Sequence, residues 1–124
     1  MPRVKIEMEA GTTVTTGGSG VTVEQDRRDA IQVGSGKTVT IWMNVQANAT
    51  TATTDVIILG HFDRDAPTGQ WAQLNSTALQ LAAGETGLKS ITVSDPPDWI
   101  IWQIKDGTAN AALTFSAVAY VDEG

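Results

Sequence analysis

Val56-Ile57-Ile58-Leu59-Gly60-His61-Phe62 is an almost unbroken apolar run bounded by polar residues, the pattern of a central strand covered on both faces. Three further runs follow it, at 71–81, 88–93 and 99–121, and only turn residues separate them. Upstream, Val39, Ile41, Met43 and Val45 alternate with Thr40, Trp42, Asn44 and Gln46, and Val4, Ile6 and Met8 alternate with Lys5, Glu7 and Glu9. Both are half-buried strands. Shorter alternations at Val21 and Val23 and at Ile31 and Val33 complete the set, and no stretch has the spacing of a helix. A chain patterned with period two over nearly its whole length must bury one sheet face against another. It is therefore all-β, a two-layer antiparallel β-sandwich.

The turns sharpen this. Asp63 to Gly69 holds a Pro and a Gly, 82–87 is a second turn, and Asp95-Pro96-Pro97-Asp98 is a stiff corner that cannot continue a sheet ladder. About nine or ten strands result with no internal repeat, which favours a jelly-roll-like sandwich over a propeller or solenoid. At 124 residues the chain is expected to make one domain, 1–124. Within it, 11–20 is nearly all Thr and Gly with Val14 its sole sizeable apolar side chain, and is expected to be a flexible arm or a weak edge hairpin turning at Gly17-Gly18.

Composition narrows the chemistry. Eight Lys and Arg against fourteen Asp and Glu give a net charge of −6, which opposes the attraction that nucleic-acid binding relies on. The basic pair Arg27-Arg28 is cancelled by Asp26 and Asp29 and is expected to be a solvated turn. No apolar run near the N-terminus has the length of a signal peptide or membrane span, so neither export by that route nor a membrane partner is expected. With no cysteine there is no disulfide, thiolate ligand or thiol nucleophile. Charged residues are only 18% of the chain, so its surface is finished with Thr, Ser, Asn, Gln and Gly, as in chains that pack against neighbours.

The residues that announce an enzyme are missing. His61 is the one histidine, lies in an apolar strand, and cannot build a multi-histidine metal site. No Gly-x-Ser-x-Gly turn presents a serine to it. Asp63 and Asp65 have the alternate spacing of a calcium loop, but no Glu closes it, and a plain Asp-rich turn is expected. A non-enzyme without metal or cofactor follows as the expectation.

Four tryptophans carry the remaining signal. Trp102 shares parity with Ile100 and Ile104 and belongs in the core. Trp42 and Trp99 fall opposite their strands' apolar faces or beside a corner, and together with Trp71 they are the candidates for an intersubunit contact or for stacking on a sugar.

Residues 60–121 resemble the small β-sandwich proteins of tailed-bacteriophage virions, above all the head-decoration or cement proteins. The likeness rests on Asp63-Arg64-Asp65, Gly69-Gln70-Trp71, Leu79-Gln80-Leu81-Ala82-Ala83-Gly84-Glu85, Pro97-Asp98-Trp99-Ile100-Ile101-Trp102 and Leu113-Thr114-Phe115-Ser116-Ala117. The resemblance implies a structural protein made in the host cytoplasm and seated on the capsid exterior. There it would bridge major capsid protein subunits, commonly as a homotrimer. The alternative expectation is a carbohydrate-binding or receptor-binding β-sandwich, with Trp42, Trp71 or Trp99 against the ligand.

Overall fold

The computed structural model describes residues 3–17, 22–34, 36–106 and 108–122. Ten strands run through them: β1 (Arg3–Gly17), β2 (Thr22–Glu24), β3 (Ile31–Gln32), β4 (Thr38–Asn48), β5 (Thr54–His61), β6 (Ala72–Gln73), β7 (Leu79–Leu81), β8 (Gly87–Ser94), β9 (Trp99–Asp106) and β10 (Ala109–Asp122). Two antiparallel sheets result. One has the order β1-β10-β4-β8; the other is β2-β9-β5-β6, with β3 also on β9 and β7 also on β5. The molecule is a β-sandwich. Because β2 and β3 share one partner, and β6 and β7 share another, each pair acts as a single interrupted strand. Counted that way the sheets read first-last-third-sixth and second-seventh-fourth-fifth, the order of a jelly roll.

Alternation explains the core. The inward residues of β4 (Val39, Ile41, Met43, Val45) meet those of β10 (Leu113, Phe115, Ala117, Ala119) and, across the sandwich, Val56, Ile58, Ile100, Trp102 and Ile104 of β5 and β9. Trp102 and Phe115 pack edge to face, with centroids 5.0 Å apart. Strand β5 is buried on its second face as well, where Ile57, Leu59 and Ile101 lie under Ala66 and Trp71 of the loop after β5. Gly60 makes the end of this strand possible: a Cβ there would come within 2.7 Å of Leu74 Cδ1 and 2.8 Å of Pro97 Cγ.

The stretch expected to be an arm or hairpin is different in the structure. Residues 11–17 continue β1, with Thr12, Thr13 and Val14 opposite Phe115, Thr114 and Leu113; 18–20, including Gly18, lie outside the described residues. The chain then crosses to the other sheet, where β2 pairs with β9, so no hairpin forms. Thr and Gly suffice here because β10 supplies a full ladder and only Val14 and Thr16 need to point inward. The strand is broken by register shifts after Glu7, Glu9 and Thr15, and Gly11, at φ +93°, sits in the second of them.

Gln25 fastens this irregular strand to the other sheet. It is 2% exposed; its Nε2 donates to Met8 O at 3.0 Å and its backbone N–H donates to Trp102 O at 3.0 Å. Trp102 N–H returns a bond to Gln25 Oε1 at 3.4 Å. The bulged carbonyl of Met8 therefore has a donor that the ladder does not provide.

Candidate functional site

The outer face of the four-stranded sheet is set by the parity opposite the core. From β10 it takes Thr114, Ser116, Val118, Tyr120 and Asp122; from β4, Thr38, Thr40, Trp42, Asn44 and Gln46; from β8, Leu88, Ser90, Thr92 and Ser94. Register puts Val118, Trp42 and Ser90 in one row across it, and Ser116, Asn44 and Leu88 in the next. Over these three strands the single outward charge is Asp122, whose Oδ1 accepts from Arg3 Nε at 2.9 Å, while β1 adds Lys5 opposite Tyr120 and Glu7 opposite Val118 to the same face. That bond and its charge hold the Asp122 carboxyl below its usual range and raise the Arg3 guanidinium.

Trp42 is 38% exposed and Leu88 62%. With Arg3, Asn44, Ser116, Val118 and Tyr120 they line a shallow depression of about 460 Å³. The Arg3 guanidinium lies 5.3 Å from the Tyr120 ring centroid, a cation held over an aromatic face. Such a floor offers aromatic and apolar contact with a few amide, hydroxyl and guanidinium groups at its margin. It can bind by contact.

The other two candidate tryptophans do not join this face. Trp71 is 6% exposed, and its Nε1 donates to Ala66 O at 3.0 Å, so it closes the outer cluster over β5. Its inward turn follows from the loop, since the run at 71–81 is strand only at Ala72–Gln73 and Leu79–Leu81. Trp99 is half-buried against the same cluster, with the Arg64 guanidinium 5.4 Å from its ring centroid. Trp102 is in the core as its parity requires.

His61 accepts at Nδ1 from the Asp63 backbone N–H at 2.8 Å, and its ring lies 5.8 Å from Trp71. Asp63 Oδ1 in turn accepts from Asp65 N–H at 3.0 Å, so both acids serve a turn. Among the described residues no group of three or more His, Cys, Asp or Glu side chains could hold a metal ion. The 27–28 pair divides its work: Arg28 bonds Asp26 in an exposed turn, while Arg27 Nη1 reaches Ala66 O at 2.8 Å and supports the Trp71 loop.

Leu88, Tyr120, Val118, Asn44 and Ser116 went unsingled in the sequence. Each has outward parity in its own strand, but only the strand order β10-β4-β8 brings them around Trp42.

No family model matches the sequence, and no curated protein matches it significantly. Solved structures do share the fold. The PBSX exported protein XepA superposes at TM-score 0.57 and 14% identity, over 98% of this chain and 37% of that one. The cleaved adhesin domain of Lys-gingipain from Porphyromonas gingivalis gives 0.57 at 12% identity, over 89% and 73%. The infectious bursal disease virus VP2 subviral particle gives 0.55 at 15% identity, over 99% and 33%. The chain thus spans 37% and 33% of the XepA and VP2 chains, and identities this low establish a shared sandwich alone.

Proposed function

We propose that this chain is a non-enzymatic structural protein of a bacteriophage virion that decorates the exterior of an assembled capsid and bridges its major capsid protein subunits. The observation that carries this is the outer face of β10, β4 and β8, where Asp122 is the sole charge and Trp42 and Leu88 stand exposed. A stretch of sheet whose one charge is already ion-paired to Arg3 loses less solvation when covered than a charged one, and an exposed indole at its centre is the kind of side chain that anchors an interface. The jelly-roll order and the likeness to a viral particle protein support the same reading. Stabilisation then needs no chemical step: a protein that binds only the assembled lattice favours that lattice by mass action.

Electron microscopy of the particles that contain the protein tests this. Density for the sandwich is expected on the capsid exterior with the Trp42 face against the lattice. Trp42→Ala with Leu88→Glu is expected to release it from particles without unfolding it. Particles lacking the protein, or docking through another face, would overturn the proposal.

The depression beside Trp42 favours one second reading, a carbohydrate- or receptor-binding module in which the indole stacks on a sugar ring while Asn44, Ser116 and Arg3 meet its hydroxyls. Saccharide-dependent quenching of tryptophan fluorescence that disappears in Trp42→Ala would support it. No response across a glycan array would remove it.

A further inference from the structure

The two edges of the four-stranded sheet are built differently. Strand β1 carries Arg3, Lys5, Glu7 and Glu9 and three register shifts, devices that keep an edge from pairing with another chain. Strand β8 has no register shift and a single charge: it runs from Gly87 to Ser94 in unbroken register with β4, holds no Pro, and carries Lys89, which is ion-paired to Glu85 in its own preceding turn. Beside it, a groove of about 400 Å³ runs between β8 and residues 74–79, with Leu74, Ala78, Leu79, Ile91 and Val93 along it.

We infer that β8 is the site at which a second copy of this chain adds its own β8, antiparallel and about a two-fold axis, to make one continuous eight-stranded sheet. The backbone fixes which groups are free. Asp95 N–H donates to Lys37 O, and the ladder alternates from there, so the odd-numbered residues of β8 bond to β4 while Leu88, Ser90, Thr92 and Ser94 turn their N–H and C=O groups outward. Side-chain contacts across the seam then select the register. With the axis at Thr92, Thr92 exchanges both bonds with its counterpart, Ser90 pairs with the partner's Ser94, and Lys89 lies opposite the partner's Asp95, which is exposed. On the inner side Ile91 meets the partner's Val93 twice over and caps the groove on each copy. A register centred on Ile91 would instead set Lys89 against Val93.

The association is two-fold, unlike the trimer that the resemblance implies, and it does not depend on the capsid reading. It leaves the two Trp42 faces side by side on one surface.

Sedimentation equilibrium of the full chain, together with amide exchange, tests it. A monomer–dimer equilibrium is expected with Kd on the order of 10 μM, since one strand pair buries less than a standard interface. The Ser90, Thr92 and Ser94 amides are expected to be protected at high concentration and to exchange freely on dilution. Thr92→Pro removes only an outward N–H and should weaken the dimer at least about tenfold while leaving the circular dichroism unchanged. Asp95→Asn keeps the Oδ1 that accepts from Gly36 N–H but not the charge, and should weaken it about fivefold and flatten its salt dependence. A monomer at every concentration, a trimer, a dimer with those three amides unprotected, or a dimer indifferent to both substitutions would overturn the inference.

Discussion

Gln25 accepts the Trp102 N–H and donates to the Met8 carbonyl, so one buried amide spans from β9 of one sheet to the bulge of β1 in the other. Gln25→Ala leaves both backbone groups buried without their partner. A loss of about 2–3 kcal/mol is expected in urea denaturation, because an unsatisfied buried group costs its full desolvation. A loss under about 0.5 kcal/mol would mean that water reaches the bulge.

Thr54 and Asp106 face each other in register, both buried, and Thr54 Oγ1 and Asp106 Oδ2 have no hydrogen-bond partner among the described residues. Asp106 Oδ1 already accepts from Thr108 N–H at 3.0 Å. Asp106→Asn keeps that acceptor and replaces the unpartnered carboxylate oxygen with part of a neutral amide, which costs less to bury. Stability is expected to rise by about 1 kcal/mol at neutral pH, read as a higher thermal midpoint. A drop of that size would show that the carboxylate is required.

The hydrogen bond from the Arg28 side chain, helped by the Arg28 backbone N–H, lowers the Asp26 carboxyl from 3.8 to about 2. A depressed folded-state value means that what this pair contributes is present above the ordinary carboxylate value and lost as pH falls from there through about 2. Carboxyl NMR titration should find the Asp26 midpoint near the low value, and Arg28→Ala should move it up towards the ordinary one. An unmoved midpoint would assign the shift to the backbone bond alone.

Two tryptophans should respond in opposite ways to truncation. Trp71→Ala empties the cluster of Ile57, Leu59, Ala66 and Ile101 and is expected to cost about 3–5 kcal/mol. Trp42→Ala, on the outer face, is expected to change unfolding free energy by less than about 1 kcal/mol. Equal losses in chemical denaturation would contradict the assignment of one to packing and the other to contact.

Alternation in the sequence carried the sandwich far. Val39, Ile41, Met43 and Val45 point inward as a period of two requires, and the 56–62 run belongs largely to a strand buried on both faces. What was not legible depended on partners distant in sequence. The 11–17 segment has too few apolar residues to announce a strand, and becomes one because β10 lies alongside. Parity could place Trp42 outside but could not place Trp71, which sits just ahead of a two-residue strand and takes its direction from a loop. The face around Trp42 is assembled from three strands whose adjacency no local pattern encodes.

The order of the four-stranded sheet also constrains how the chain comes together in time. Strand β10 lies between β1 and β4, so β1 has no neighbour in its sheet until β10, far downstream in the chain, emerges. Until then β1 and one side of β4 are open to any passing chain. Non-local closure of this kind makes folding slow, and gives β10 the part of a keystone whose arrival completes the arch.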